Sequence, residues 1–194
     1  RQDLAFATKI MNERKLETLM TEGVTIVDPS STWISEDTEI GADTIIYPST
    51  YIEGKNKIGK NCKIGPCAHL RGDVEIEDNC KIGNFVEIKK AKIGHNTNAG
   101  HLSYIGDSEL GSHINIGAGT ITANYDPISK KKSKTILKDN VKIGSNTVLV
   151  APVEIGEGTN IGAGSVITKN IGEWALGLTR APLRIIEGWV KKDK

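Results

Sequence analysis

The chain has 194 residues, a formal net charge of +1 and a pI near 7.9, so no long-range field draws nucleic acid or an anionic membrane to it and any basic site must be local. No apolar run approaches the roughly 20 residues of a membrane span, none has the shape of a secretory core, and three cysteines in a chain this long do not make a disulfide framework. Aromatic residues supply only 5% of the composition against 21 glycines, so large rings do not fill the interior. The chain opens at Arg1, as expected of a piece of a longer protein whose targeting signal, if it had one, would be missing.

The first segment, "LAFATKIMNERKLETLM", carries Leu4, Ile10, Met11, Leu16, Leu19 and Met20 at helix-compatible spacing up to Gly23, which predicts a helix within residues 1–23 that caps or leads into the repeat region. From Ile34 an aliphatic residue recurs at every sixth position through Ile40, Ile46, Ile52, Ile58, Ile64, Leu70, Ile76, Ile82 and Ile88. Neither a helix nor a simple strand has that period. Each hexad reads as a very short strand and a corner, and three hexads close one triangular coil of a solenoid. The position after the aliphatic is most often Gly (Gly41, Gly59, Gly65, Gly83), attributed to a turn that favours a residue without Cβ. Four positions after it stand Thr38, Thr44, Thr50, Cys62, Ala68, Val74, Cys80 and Val86, expected to face inward. Cys62 and Cys80 thereby read as stacked core filler, and Cys67 points outward.

Five-residue steps occur at Ile88 to Ile93 and Ile105 to Leu110, and after Ile116 the insert "NYDPISKKKSKT" interrupts a period that resumes at Ile143, Leu149, Ile155, Ile161 and Ile167. The solenoid is expected over 24–171, with 172–194 a tail that keeps two tryptophans, ends basic and packs on something else. In this register Ala99 faces in, so His101 and Tyr104 face out. Counting coils with their slips puts His101, Ala118, Ser145 and Ala163 on one outer edge, a column of small side chains with a potential base at one end. Exposed backbone N–H and C=O groups along it would suit an extended, amide-rich ligand such as the pantetheine arm of coenzyme A; recurrence of small residues through repeat composition is the bland alternative. Arg71 and Lys89 occupy the position the repeat usually gives to Gly, with Lys90 next to them. Long cations there are read as bearing a conformational cost that points to an anion, or else as decoration of a corner. The run "SKKKSK" is either a solvated loop or a grip on nucleotide phosphates.

The run "GNFVEIKKAKIGHNTNAGHLSYIGDSELGSHINIGAGTITANYD" with "KIGSNTVLVAPVEIGEGTNIGAGSVIT" closely resembles the acetyltransferase half of the bacterial bifunctional N-acetylglucosamine-1-phosphate uridyltransferase / glucosamine-1-phosphate N-acetyltransferases. The resemblance covers nearly the whole chain and is far more specific than the hexapeptide repeat. It implies a mainly β fold, a left-handed parallel β-helix that departs from the right-handed crossover rule, in a cytoplasmic homotrimer with active sites between subunits. It implies acetyl-CoA as co-substrate, glucosamine 1-phosphate as acceptor, no metal in this part, and no nucleic-acid or membrane partner. A preceding Mg²⁺-dependent uridyltransferase domain would be absent. By the same resemblance His101 is the general base; Arg71, Lys89, Tyr104, Asn115 and Asn124 are sugar-phosphate ligands; Ala118, Asn124, Tyr125, Ser145, Ala163 and Arg180 contact acetyl-CoA, with an oxyanion donor near Tyr125 or Ser145.

Three departures stand out. Ala123 replaces a Cys common in relatives, so thiol reagents are not expected to inactivate through that position. The loop after Asp126 is about two residues longer than usual, leaving Lys130 and Lys132 as alternatives for the family's loop lysine. "LRGD" replaces "LRPG" beside Arg71. Rival readings are another hexapeptide acyltransferase, a scaffold without catalysis, and a metal enzyme resembling the gamma carbonic anhydrases, which would need three converging histidines.

Overall fold

In the computed structural model, which describes residues 1–187 and 189, strands of two to seven residues wind into a three-faced prism in which every named strand pair is parallel. The first face is a nine-stranded sheet, and the second and third are joined in one sheet of thirteen strands. They join because the two five-residue steps remove a corner: the strands Glu87–Ile93 and Tyr104–Leu110 run unbroken from one face to the next and pair along their length.

The hexad period works by stacking like on like. On the first face Ile46, Ile64, Ile82, Ala99, Ile116, Ile143 and Ile161 lie in direct register, and on the third Ile40, Ile58, Ile76, Ile93, Leu110, Leu137 and Ile155 do the same. All of them are buried, each Ile or Leu contributing about 1.5–3 kcal/mol on removal from water. The residues four positions on are buried too, and some of their polar atoms join successive coils. Thr44 Oγ1 donates to the Gly59 carbonyl at 2.8 Å and accepts from the Cys62 amide at 3.0 Å. Cys62 and Cys80 occupy the same station one coil apart, each Sγ 3.2 Å from a carbonyl of the following coil, Glu77 and Gly94. Contact with Cys62 and burial push the Cys80 thiol well above its ordinary range, as suits packing rather than thiolate chemistry.

The glycines after the aliphatics do not all have the cause the sequence suggests: Gly65 is left-handed at φ 94°, as a turn requires, whereas Gly41, Gly59 and Gly83 are not. Gly83 has an ordinary φ, but a Cβ on it would fall 1.8 Å from the Gly100 carbonyl oxygen of the next coil. Close approach of coils forbids the side chain. The left-handed residue comes two positions later, at Phe85 (φ 56°) and Leu102 (φ 49°) on one corner and at Asn61, Asn79 and Asn96 on another, where Asn is the side chain that tolerates it best.

Three boundaries differ from expectation. Thr122 is buried in line with Leu149, and Leu137 pairs with Leu110 and Ile155, so the period resumes one hexad earlier than Ile143. Parallel pairing continues beyond 171 to the strand Leu176–Gly177, which pairs with Asn160–Ile161. There Gly177 takes the aliphatic station because the Ile171 and Ile161 Cδ1 atoms fill its Cβ space, 2.5 and 2.7 Å away. The basic end of the expected tail, at 190–194, lies outside the described residues.

The N-terminal helix Gln2–Thr21 buries only Leu16 and Leu19, leaving Leu4, Phe6, Met11 and Met20 exposed. Asn12 fastens it to the first coil, donating to the Thr32 carbonyl at 2.9 Å and accepting from the Ile34 amide at 3.0 Å. It thereby satisfies an otherwise open strand edge. No described helix is long and apolar enough to cross a membrane.

Two tests arise from this packing. Gly83→Ala is expected to destabilise by about 1–3 kcal/mol in denaturant unfolding, whereas Gly100→Ala, whose Cβ would meet nothing within 4 Å, stays within about 0.5 kcal/mol; equal midpoints would contradict the close-approach explanation. Intact-mass analysis after brief alkylation should find one adduct per native chain, at half-buried Cys67, and three after denaturation, because Cys62 and Cys80 are closed off.

Candidate active site

The corner between the first and second faces carries the small-residue column. The register Ala99↔Ile116↔Ile143↔Ile161 puts His101, Ala118, Ser145 and Ala163, each two residues further on, above one another at about 4.8 Å per coil. His101, Ser145 and Ala163 are exposed and Ala118 is half-buried. Glycines keep this edge flat, for a Cβ on Gly117 or Gly144 would lie 2.5 or 2.4 Å from the amide nitrogen of Ser145 or Ala163. The edge is more selective than the sequence implied. The Ala118 and Ser145 carbonyls are occupied by the Asn146 and Gly164 amides at 2.7 and 2.8 Å, while the amides of Ala118, Ser145 and Ala163 make no hydrogen bond among the described residues. It offers a ligand mainly donors. Arg180 folds back to the far end, with its Nη2 3.3 Å from where a Gly162 Cβ would stand.

The second cluster sits on the second face and its corner with the third. Arg71 ends the strand His69–Arg71 and Lys89 lies inside Glu87–Ile93, both extended, so neither bears the conformational cost inferred from the repeat. At this corner the left-handed residues are Gly72, Lys90 and Asp107. Arg71 Nη1 is 2.7 Å from Glu87 Oε1 and its Nε 3.8 Å from Glu53 Oε1; the Glu87 carboxylate raises the pKa of the guanidinium. Half-buried Lys89 makes no ion pair among the described residues, so it is the cation left for an incoming anion.

Tyr104 bends over Gly106, where a Cβ would meet its Oη at 2.3 Å, and accepts from Asn124 Nδ2 at 3.4 Å. Asn124, buried, also donates to Asp107. Asp107 escaped sequence reasoning because an Asp at a solenoid corner looks like ordinary turn chemistry.

The insert rises from this corner as a hairpin-like loop. Tyr125 bridges Lys132, the Asp126 amide donates to the Lys131 carbonyl at 3.0 Å and the Ser133 amide to Asn124 at 2.9 Å. Asp126 accepts from the Ile128 amide and the Ser129 hydroxyl, which hold its carboxyl below the usual range. Lys132 Nζ comes 4.0 Å from Asp107 Oδ2, whereas Lys130 is an exposed left-handed residue of the loop. Geometry thus turns Lys132 toward the site. Lys134 binds Glu109, so this lysine serves the solenoid.

Not everything converges within one chain. Asn115 lies on the first face, paired with Asn98 and Lys142, on the other side of the His101 edge from Tyr104, Arg71 and Lys89. An open groove of about 650 Å³ lies elsewhere again, on the third face. Its Glu75–Lys92 pair at 3.2 Å and the Glu109–Lys134 contact read as a solvated charge ladder. The four histidines are dispersed: His69 stands edge-on to Tyr51, His95 pairs with Glu77 at 3.0 Å, His101 faces Asn84 at 3.1 Å and His113 lies on a third-to-first corner.

A family model for bacterial transferase hexapeptides (six repeats) matches residues 57–90 and 134–169. The bifunctional protein GlmU of Thermodesulfovibrio yellowstonii is 46% identical over 100% of this chain and 50% of its own length. That of Thermotoga maritima is 45% identical over 100% and 51%, and that of Clostridium perfringens 44% over 100% and 50%. The chain spans about half the length of these relatives. Among solved structures, LpxA from Bacteroides fragilis, a UDP-N-acetylglucosamine acyltransferase, superimposes with TM-score 0.60 at 19% identity over 75% of this chain and 69% of that one. A UDP-N-acetylglucosamine acyltransferase from Campylobacter jejuni gives 0.54 at 20% over 88% and 79%. These two speak to the parallel β-helix fold. With its hexad ladders in register, the chain is similar from end to end to about half of each of these bifunctional GlmU proteins, and it carries the bacterial transferase hexapeptide repeat.

Proposed function

We propose that this chain transfers the acetyl group of acetyl-CoA to the 2-amine of glucosamine 1-phosphate, giving N-acetylglucosamine 1-phosphate for UDP-N-acetylglucosamine and hence cell-wall and lipopolysaccharide synthesis in the cytoplasm. The observation that carries the reading is the flat edge of Ala118, Ser145 and Ala163 with free amides, headed by exposed His101, in a chain that matches GlmU along its whole length. Donor amides spaced one per coil suit the carbonyls of an extended pantetheine arm, and Arg180 at the far end suits its phosphates.

His101 removes a proton from the amine as nitrogen attacks the thioester carbonyl carbon. The tetrahedral oxyanion takes a hydrogen bond from a donor near Tyr125 or Ser145. As the C–S bond breaks, the departing thiolate receives the proton that His101 holds. Arg71, Lys89, Tyr104 and Asn124 would bind the sugar phosphate. Lys89 would be the main counter-ion, because Arg71 already has Glu87 and Glu53. Asn115 serves the same site only if a second copy supplies one side of it, which is the physical argument for a homotrimer with sites between subunits. A uridyltransferase domain using Mg²⁺ belongs, in this reading, to the part of the parent protein outside this chain.

The test is thioester loss from acetyl-CoA, followed by absorbance, on adding glucosamine 1-phosphate. Turnover should require the sugar phosphate and fall by about 10² or more in His101→Ala. Absence of turnover in the folded assembly would favour a scaffold or another acceptor. Lys89→Ala should raise the KM for glucosamine 1-phosphate by about 10-fold or more, the scale of one charge-assisted hydrogen bond, while leaving the KM for acetyl-CoA near wild type. An equal rise in both would contradict the assignment of Lys89 to the phosphate.

A further inference from the structure

His101 has one polar side-chain partner among the described residues, the Oδ1 of Asn84, 3.1 Å from its Nδ1. The pairing is built into the solenoid. Asn84 ends the strand Lys81–Asn84 and is the register partner of His101 one coil on. Each is followed by a bulky residue in the left-handed region, Phe85 at φ 56° and Leu102 at φ 49°, a conformation rare for such side chains. The Leu102 amide donates to the Asn84 carbonyl at 3.0 Å, as the Phe85 amide does to Cys67 at 3.2 Å. Two successive coils therefore turn the same corner in the same way, and the side chains just before the turn stand parallel. Asn84 is half-buried and His101 exposed, so the amide is the more enclosed member of the pair.

A neutral imidazole has one N–H and one lone pair, and the partner of one nitrogen decides the role of the other. A carbonyl oxygen facing Nδ1 accepts a hydrogen bond and cannot donate one. It selects the tautomer with hydrogen on Nδ1 and leaves the lone pair on Nε2. We infer that Asn84 is a positioning residue that fixes His101 with its proton on Nδ1, so that Nε2 is the atom that accepts the proton of the attacking amine. The inference rests on His101 being the base of the proposed acetyl transfer. In that reaction the amine proton passes to Nε2, the Nδ1–H stays on the Asn84 oxygen throughout, and the Nε2 proton leaves with the coenzyme A thiol.

The amide face is what an experiment must read. Asn84→Asp keeps an acceptor and removes the donor; Asn84→Leu keeps the shape and removes both. With the oxygen toward the ring, Asn84→Asp should hold kcat within a few-fold of wild type. Asn84→Leu should lower it by about 10- to 100-fold, the range found when a partner that orients an imidazole is lost, with both KM values little changed. Equal losses in the two variants, or a larger one in Asn84→Asp, would overturn the proposal, since a packing role or a reversed amide predicts those. A second measurement needs no turnover: ¹H–¹⁵N correlation of ¹⁵N-histidine-labelled wild-type assembly, with His101 assigned by its loss in His101→Gln. A proton on Nδ1 and a bare Nε2 is the expected signature, and hydrogen on Nε2 would sink the idea by itself. Should wild type show the Nδ1–H form yet fail to acetylate glucosamine 1-phosphate, the reaction assignment falls while the Asn84 pairing stands.

Discussion

The distance between coils governs this molecule. Parallel strands about 4.8 Å apart must stack one aliphatic on the next at every station, and the interior can hold nothing that breaks the sequence of Ile, Leu and Val without a local remedy. Between the third face and the first, Thr44, Cys62 and Cys80 hand their hydrogen to the following coil and tie the layers together, whereas Thr50, Thr120 and Thr147 bond a carbonyl three residues back in their own coil, so that each of these buried polar atoms has a partner. Where a side chain would strike the next coil's backbone, as at Gly83, none is present. Few rings are needed because stacked isoleucines, repeated, supply a continuous apolar column.

The same spacing decides what each corner can display. Two corners turn on a left-handed residue three positions after the aliphatic, exemplified by Leu102 and Asn96, while the corner beside Arg71 and Lys89 turns one residue sooner, at Gly72, Lys90 and Asp107. After Lys90 and Asp107 the chain omits the second left-handed residue that Asp73 supplies after Gly72, and the five-residue steps from Ile88 to Ile93 and from Ile105 to Leu110 fuse two faces into one sheet. Arg71 and Lys89 consequently sit on flat, extended backbone with their charges free to gather at one place, and the strain of the corner falls on their neighbours. At the opposite corner the late turn leaves the preceding residue standing clear of the wall, which is where His101 and Asn84 are found.

A single chain therefore presents two partial surfaces. The edge of free amides and the corner of Lys89, Tyr104 and Asn124 are separated by the width of the second face, with Asn115 beyond the edge on the first. The proposed acetyl transfer needs a base, an anion pocket and an extended donor track in one place, which copies of such edges would supply if brought together. A rigid prism is suited to that role because its corners are fixed to the accuracy of backbone pairing.

Much of this was legible in the residues. The sixfold recurrence from Ile34 to Ile88, the inward place of Cys62 and Cys80, and the alignment of His101 with Ala118, Ser145 and Ala163 come from counting, since an in-register repeat converts sequence separation directly into spatial neighbourhood. Counting failed where the chain left its period: Thr122 and Leu137 escaped because an insert hides their stations, and Gly177 because a glycine does not look like the aliphatic it replaces. Residue identity also misled about cause. Glycine after many of the aliphatics suggested a backbone turn, which Gly65 makes and Gly83 does not, and Arg71 and Lys89 suggested a strained one, because sequence records which side chains are small or long but not how near the next coil lies. Tertiary structure alone decided which carbonyls along the edge are already occupied, that Lys132 rather than Lys130 turns toward Asp107, and that an asparagine one coil below meets His101; each depends on side-chain contacts across coils, which the period positions but does not choose.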